Sequence, residues 1–349
     1  MQLSTRFTSA LGIEHPIVLA PMAFTSGGRL AAEVSGAGGL GLIGGGYGDE
    51  AWLRHEFAAA DGESVGCGLI TWKLAANPRA LDLVLEYEPV AVMLAFGDPA
   101  PFADKIHAAG SRLFCQVTTM REARAAVDVG ADVIIAQGDE AGGHGTAARS
   151  TFTFVPELAD LLMGIAPATP LLAAGGVADG RGIAAALTLG ADGVMVGTRF
   201  WAAAEALVSP VAQQRAMAAS GDDTIRTAAY DVVRNLDWPD DYKMRVLRNS
   251  FVDEWLGKVE VLRARQDQAS RDYREALAAN DFDFVNVTVG EAIGQINEIL
   301  PAADLTRALV KEAADILELR TLRSAVTSES TQLGEAGRTR HLLRAKEDA

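Results

Sequence analysis

The sequence predicts a closed (β/α)8 (TIM) barrel followed by a smaller, mainly helical cap, and three observations predict it. Eight short apolar runs rich in β-branched residues alternate with Ala-rich stretches of helical period before residue 210. The ends of successive runs lie mostly about 21 to 27 residues apart, room for one helix and two short loops, which forces parallel pairing. An internal repeat runs through the pattern. "AAVDVGADVIIAQG" from Ala125 and "AALTLGADGVMVG" from Ala185 align across a helix end, a Gly-Ala-Asp turn and the next strand, and "AAEVSGAGGLGLIG" from Ala31 is a looser copy. In each copy a glycine closes the helix in a left-handed conformation and turns the chain into the strand. Near-continuous apolar strands in eight such units fit a closed barrel better than an open doubly wound sheet.

Taken in order, the strands are "PIVLAPM" (16–22), "GLGLIG" (39–44), "VGCGLIT" (65–71) and "VAVMLAF" (90–96), then "RLFCQV" (112–117), "DVIIAQG" (132–138), "PLLAAGG" (170–176) and "DGVMVGT" (192–198). One interval is long: 37 residues separate Gly138 from Gly175, so the loop after the sixth strand is the longest, and it carries His144. Loops at the C-terminal ends of barrel strands converge on one mouth, where such folds place their active sites. The barrel accounts for residues 1–207. Residues 208–300 read as a helical cap or insertion, punctuated by "RNLDWPDDYKMRVLRNSFVDEW" (234–255), with charged helices near 257–279. "LTRALVKEAADILELR" (305–320) reads as an amphipathic helix packing back on the barrel within 301–320, and 321–349 as a frayed, charged tail.

Composition narrows the function. With 46 acidic against 31 basic residues, the formal charge of −15 argues against nucleic acid or an anionic membrane as partner and favours a small molecule. Cys67 and Cys115 both fall in β-like runs, so two reduced, buried thiols are expected, with no zinc-ligand spacing and no metal site. The N-terminal stretch shows no basic flank and apolar leader, and no run of 18 apolar residues occurs, so the expected compartment is the cytoplasm. Monomer and homodimer both stay open. No Walker-type glycine-lysine loop occurs, and "GLGLIGGGYG" lacks the spacing and following acid of a dinucleotide fingerprint; it is expected as a loop at the barrel mouth.

Two glycine turns point to a ligand. Gly175–Gly176 and Gly197–Thr198 end strands seven and eight, where unpaired backbone N–H groups and a short helix N-terminus would together grip a phosphate. His144 is the other candidate. A lone loop histidine is ordinarily solvated surface, but this one lies on the longest strand-end loop beside Gly142, Gly143 and Gly145. Asp139 or Glu140 stands close enough in sequence to orient the imidazole, and either equally suits a loop ion pair. His15, His55 and His107 read as structural, His341 lies in the tail, and Asp82, Glu86 and Glu88 read as a solvated helix face. Trp72, Tyr47 and Phe24 read either as pocket walls or as plain packing.

Five ordered motifs, "HPIVLAPM", "SGAGGLGLIGGGYG", "QGDEAGGHG", "AAGGVADG" and "GADGVMVGTRF", resemble those of the FMN-dependent nitronate monooxygenases, over about residues 10 to 205. "RVLRNSFVDEW" and "GEAIGQI" (290–296) extend the resemblance more weakly. It implies FMN with its phosphate on Gly175, Gly176, Gly197 and Thr198 and its ring against Ala20, Pro21, Met22 and Ala23. Gln116 and the Gly142–Gly143 backbone would complete that pocket. It also implies oxidation of alkyl nitronates, or of nitroalkanes, by dioxygen to a carbonyl compound and nitrite. In that scheme His144 serves as the base or the ligand of the nitro group, a role that suits a group titrating near neutrality. The same superfamily holds NAD(P)H:quinone reductases and enoyl-thioester reductases, which share "EAGGH" and "GTRF", so a reductase is the alternative. One departure stands out: many relatives carry an asparagine in strand three where Gly68 stands here.

Overall fold

The computed structural model describes residues 3–319. Eight parallel strands form one sheet: β1 (Ile17–Leu19), β2 (Leu42–Gly46), β3 (Gly66–Ile70), β4 (Ala91–Ala95), β5 (Arg112–Val117), β6 (Val133–Gln137), β8 (Leu171–Ala174) and β9 (Gly193–Val196). β1 pairs with β9 in register Val18 to Met195, and the remaining gap is bridged where Leu19 N–H donates to Leu40 O and Leu40 N–H to Ile17 O. The barrel is therefore closed. β2 runs on to Gly46, so part of the stretch expected as a mouth loop is strand.

Alternation within each strand sorts two layers of core. Val18, Leu42, Met93, Phe114, Ile135, Leu172 and Met195 fill the barrel interior, and Phe7 from the N-terminal helix Arg6–Leu11 plugs its base against Phe114. Ile17, Leu19, Ile43, Leu94, Ile134 and Val196 face outward against the helices. Apart from Arg112 and Gln116 in β5, both faces of the strands are thus dry, which is why the runs read as continuously apolar. The helices begin and end where the repeat says they should. Thr119 and Glu122 form a capping box on helix Met120–Asp128, and Gly130 and Gly190 take the left-handed turns (φ 74° and 100°) that lead into β6 and β9.

Cys67 and Cys115 belong to the outward-facing layer, unpaired and buried, and burial pushes both thiols up to about 12. A thiol reagent added to the native protein is therefore expected to label neither, and to label both once the chain is unfolded in denaturant; fast native labelling of either would show that this layer opens.

Residues beyond the barrel form a second hydrophobic cluster around Tyr230, Val246, Phe251, Leu262 and Ile293. Helices predominate there, including Pro210–Met217, Ala229–Val233, Ser250–Trp255 and Gln266–Ala278. The sequence did not announce a three-stranded antiparallel sheet in which β10 (Thr224–Thr227) pairs with β11 (Lys243–Leu247) and β11 pairs with β7 (Gly143–Gly145). β7 lies in the segment expected to be loop. A Gly-His-Gly triplet has no alternation to betray a strand, and its partner lies about a hundred residues downstream.

The helix over residues 302–319 packs back on the barrel through Leu305, Leu309, Val310 and Ala313. The expected tail and His341 lie outside the described residues. Among the described residues no helix is long and apolar enough to cross a membrane, and no three His, Cys, Asp or Glu residues cluster to hold a metal.

Candidate active site

A cavity of about 460 Å³ opens at the C-terminal ends of the barrel strands, beneath the cap. Every residue expected to hold the cofactor lines it, and so does His144. Ala20, Pro21, Met22 and Ala23 follow β1, and Gln116 comes from β5. Gly142, Gly143 and His144 come from β7 and its approach, Gly175 and Gly176 follow β8, and Gly197 and Thr198 follow β9.

The two glycine turns make a cradle of free donors. Gly175 and Gly176 have φ of 106° and 75°, and among the described residues the N–H groups of Gly176, Gly197 and Thr198 donate to nothing. Thr198 Oγ1 accepts from the N–H of Gly290 at 2.8 Å, which leaves its own proton free to donate. The nearby helix Gly180–Thr188 offers no such vacancy. Asp179 accepts from Gly182 N–H and Glu312 from Gly180 N–H, so its first turn already faces carboxylates.

Gly68 has a steric reason to be glycine. A Cβ there would stand 2.2 Å from Pro21 Cγ, so the proline after β1 occupies the space an asparagine side chain would need. The unanswered polar atom lies elsewhere: Gln137, at the end of β6, donates through Nε2 to His144 O at 3.1 Å, while its buried Oε1 has no partner. Gln137 also lines the cavity. Its Oε1 is shut off even from that cavity and lies toward Gly145, so Gln137 serves the site by holding the His144 backbone. Sequence reasoning passed over Gln137 although it is the penultimate residue of the quoted "DVIIAQG" run.

His144 is set by pairing β7 to β11, in register with Met244. Its Nε2 lies 2.9 Å from Asp231 Oδ1, and its ring stacks on Trp238 with centroids 3.5 Å apart and planes 7° from parallel. The side chain is only 9% exposed. Burial pushes the imidazole below its ordinary value of 6.5; the hydrogen bond and charge of Asp231 oppose that, and Arg234 and Arg226 add to it. Since an ionised carboxylate only accepts, Nε2 carries the proton and Nδ1 keeps its lone pair.

The orienting carboxylate is thus neither Asp139 nor Glu140. Asp139 is clasped by two arginines, Arg226 at 2.5 Å and Arg245 at 3.1 Å. Glu140 accepts from the N–H and hydroxyl of Thr151, capping helix Thr151–Ile165. Asp231 comes from the short cap helix Ala229–Val233, 87 residues after His144 in sequence, and no local spacing signals it.

Aromatic side chains wall the space above. Trp238 Nε1–H donates to Tyr47 Oη at 3.0 Å, Phe96 meets Trp238 edge-on at 5.1 Å, and Phe24 stacks on Tyr47. Phe24 and Tyr47 line the cavity, whereas Trp72 stands behind Trp238 at 5.5 Å and does not. His15, His55 and His107 lie away from it: His55 meets Glu56 and His107 meets Asp132. Asp82 pairs with Lys105, and Glu86 with Arg54.

The family model for nitronate monooxygenase matches residues 4–62 and 69–312. The chain belongs to the nitronate monooxygenase family. It is an oxidoreductase of that family, and the six residues its family model skips, 63–68, contain Gly68. A nitronate monooxygenase of Neurospora crassa is 33% identical over 346 residues, spanning 86% of this chain and 90% of the relative. FabK from Thermotoga maritima superposes with a TM-score of 0.75 at 32% identity, over 92% of this chain and 99% of that one. A nitroalkane oxidase from Streptomyces ansochromogenes superposes with a TM-score of 0.69 at 26% identity, over 89% and 98%. The matched residues of this nitronate monooxygenase family member span the barrel and the cap, so both halves of the site, His144 and Asp231, fall inside the match.

Proposed function

We propose that the cavity binds FMN and that the protein oxidises alkyl nitronates with dioxygen, His144 acting as base or nitro-group ligand. One observation carries this reading: His144, held by the buried Asp231, and the glycine turns with their free N–H groups line one cavity. Gly175, Gly176, Gly197 and Thr198 would hold the phosphate, with the ring among Ala20–Ala23, Gln116 and the Gly142–Gly143 backbone. FMN, when bound, supplies the electron transfer between the nitronate and dioxygen. Overall two nitronates and one dioxygen would give two carbonyl compounds and two nitrites: in each nitronate the carbon–nitrogen bond breaks, nitrogen leaves as nitrite, and one of the two dioxygen atoms becomes the carbonyl oxygen.

The chain's own residues handle the proton and the charge. With Nε2–H bound to Asp231, Nδ1 of His144 takes the α-proton of a nitroalkane; once protonated, the imidazole faces the nitronate oxygens as a cation. Trp238, stacked on the ring, and Phe96 and Tyr47 beside it exclude water and fix its plane.

A visible spectrum of the purified protein followed by addition of an alkyl nitronate in air tests the reading: flavin absorption and nitrite release without any nicotinamide are expected. A colourless protein, or one whose flavin is bleached anaerobically by NADH or NADPH with no nitrite from nitronate, would replace it with a flavin-free or a reductase function.

The acid limb of nitroalkane turnover is expected below pH 6.5, because burial favours neutral imidazole and the base form persists as pH falls. Asp231→Asn removes the charge that opposes this lowering and puts an amide, able to donate as well as accept, where an acceptor-only group set the tautomer. It should cut nitroalkane turnover about 100-fold and move the remaining acid limb lower, with flavin content unchanged. An unaltered pH–rate profile in that variant would mean that Asp231 does not govern His144.

A further inference from the structure

A cation in the cavity has no partner. Arg234, one residue past helix Ala229–Val233, lines the main cavity, and also a shallower outer mouth formed with Phe24, Tyr47 and Leu236. Among the described residues it is the only lysine or arginine on the cavity wall, and its side chain makes no ion pair or hydrogen bond. The residue is half-buried, and guanidinium groups partly withdrawn from water are ordinarily paired. At the same end of the barrel Arg226 and Arg245 are both paired to Asp139. The two carboxylates nearby do not pair with it: Asp49, on the outer mouth, accepts from Trp52 N–H, and Asp231 holds His144 through Oδ1. The carboxylate on the cavity wall, Glu140, is committed to Thr151.

Position supports a ligand-directed role. Arg234 shares the cavity wall with His144, Tyr47 and Tyr273, acting as a like charge on the imidazole and an opposite charge on the two hydroxyls. An anion passing from the outer mouth toward His144 meets this guanidinium, whose planar fork matches a planar pair of oxygens. The net charge of −15 acts against an anionic substrate at long range, and a cation at the mouth offsets it where screening by salt is least effective.

We propose that Arg234 is the anion-recognising residue of this site, binding the two oxygens of a nitronate and favouring the ionised substrate over its neutral nitroalkane parent. This rests on the nitronate chemistry proposed above, but its binding arm does not require turnover.

Arg234→Gln should raise KM for an alkyl nitronate about 10- to 100-fold while kcat changes less than about threefold, and leave KM for the parent nitroalkane within about threefold. Arg234→Lys should recover part of the loss, since it restores charge without the fork. Nitrate, planar and unreactive, is the probe for binding alone: calorimetric titration of the holoprotein should show nitrate affinity falling by a similar factor in Arg234→Gln. If nitrite is never produced but nitrate binding still depends on Arg234, the anion site stands and the nitronate reading falls. Unchanged nitronate KM and nitrate affinity, or equal losses on nitronate and nitroalkane, would overturn the assignment of Arg234.

Discussion

Replacing His144 with alanine is expected to lower turnover of a neutral nitroalkane by about 10²- to 10⁴-fold, the range for removing a positioned general base. Turnover of the preformed nitronate should fall far less, because that substrate arrives already deprotonated. The contrast separates chemistry from damage. His144→Ala also leaves Asp231 buried without its partner and Trp238 without its stacked ring, so the fold must be checked alongside. Flavin absorption and the thermal midpoint report that. Equal losses on both substrates would show that the imidazole binds or supports the site without moving a proton, and no loss on either would remove His144 from the mechanism.

The largest stability effect is expected from Asp139→Ala. Arg226 and Arg245 are each only 8% exposed in their side chains, and Asp139 is the carboxylate they share. Arg245 keeps Glu291 at 3.0 Å after the change, but Arg226 keeps only backbone carbonyls, among them those of Gly143, Lys243 and Ala141. Breaking a buried pair by removing one partner typically costs 3–5 kcal/mol. Asp139 is itself 32% exposed, so the lower end applies, about 3 kcal/mol by urea unfolding. Because these contacts pin the loop that leads into β7, activity should fall as well. An unchanged urea midpoint would show that solvent had already neutralised the cluster.

Much of the barrel was legible because nearly all strand positions are dry on both faces and the repeated helices end in a glycine turn, so local sequence carried the information. Gly130 and Gly190 are the plainest cases. The residues on the cavity wall were legible for a related reason: they sit at strand ends, and strand ends in a barrel converge. What stayed hidden is long-range. Asp231, Trp238 and Arg234 come from a cap whose helices are short and weakly patterned, and nothing near His144 in the chain refers to them. The acids next to His144 were the natural local choice, yet both are spent on holding the loop. Gly68 looked like a lost hydrogen-bonding group until the Pro21 ring was seen to fill its space.

The sharing of β7 between the loop after β6 and the sheet of the cap restricts how a substrate can enter. A hinged opening that swung the cap away would unzip β7 from β11 and pull Asp231 and Trp238 off the imidazole, so the catalyst would be taken apart at every visit. A route that leaves the catalyst assembled would have to avoid that seam, and the pocket between Phe24, Tyr47 and Arg234 lies on walls that do not include it.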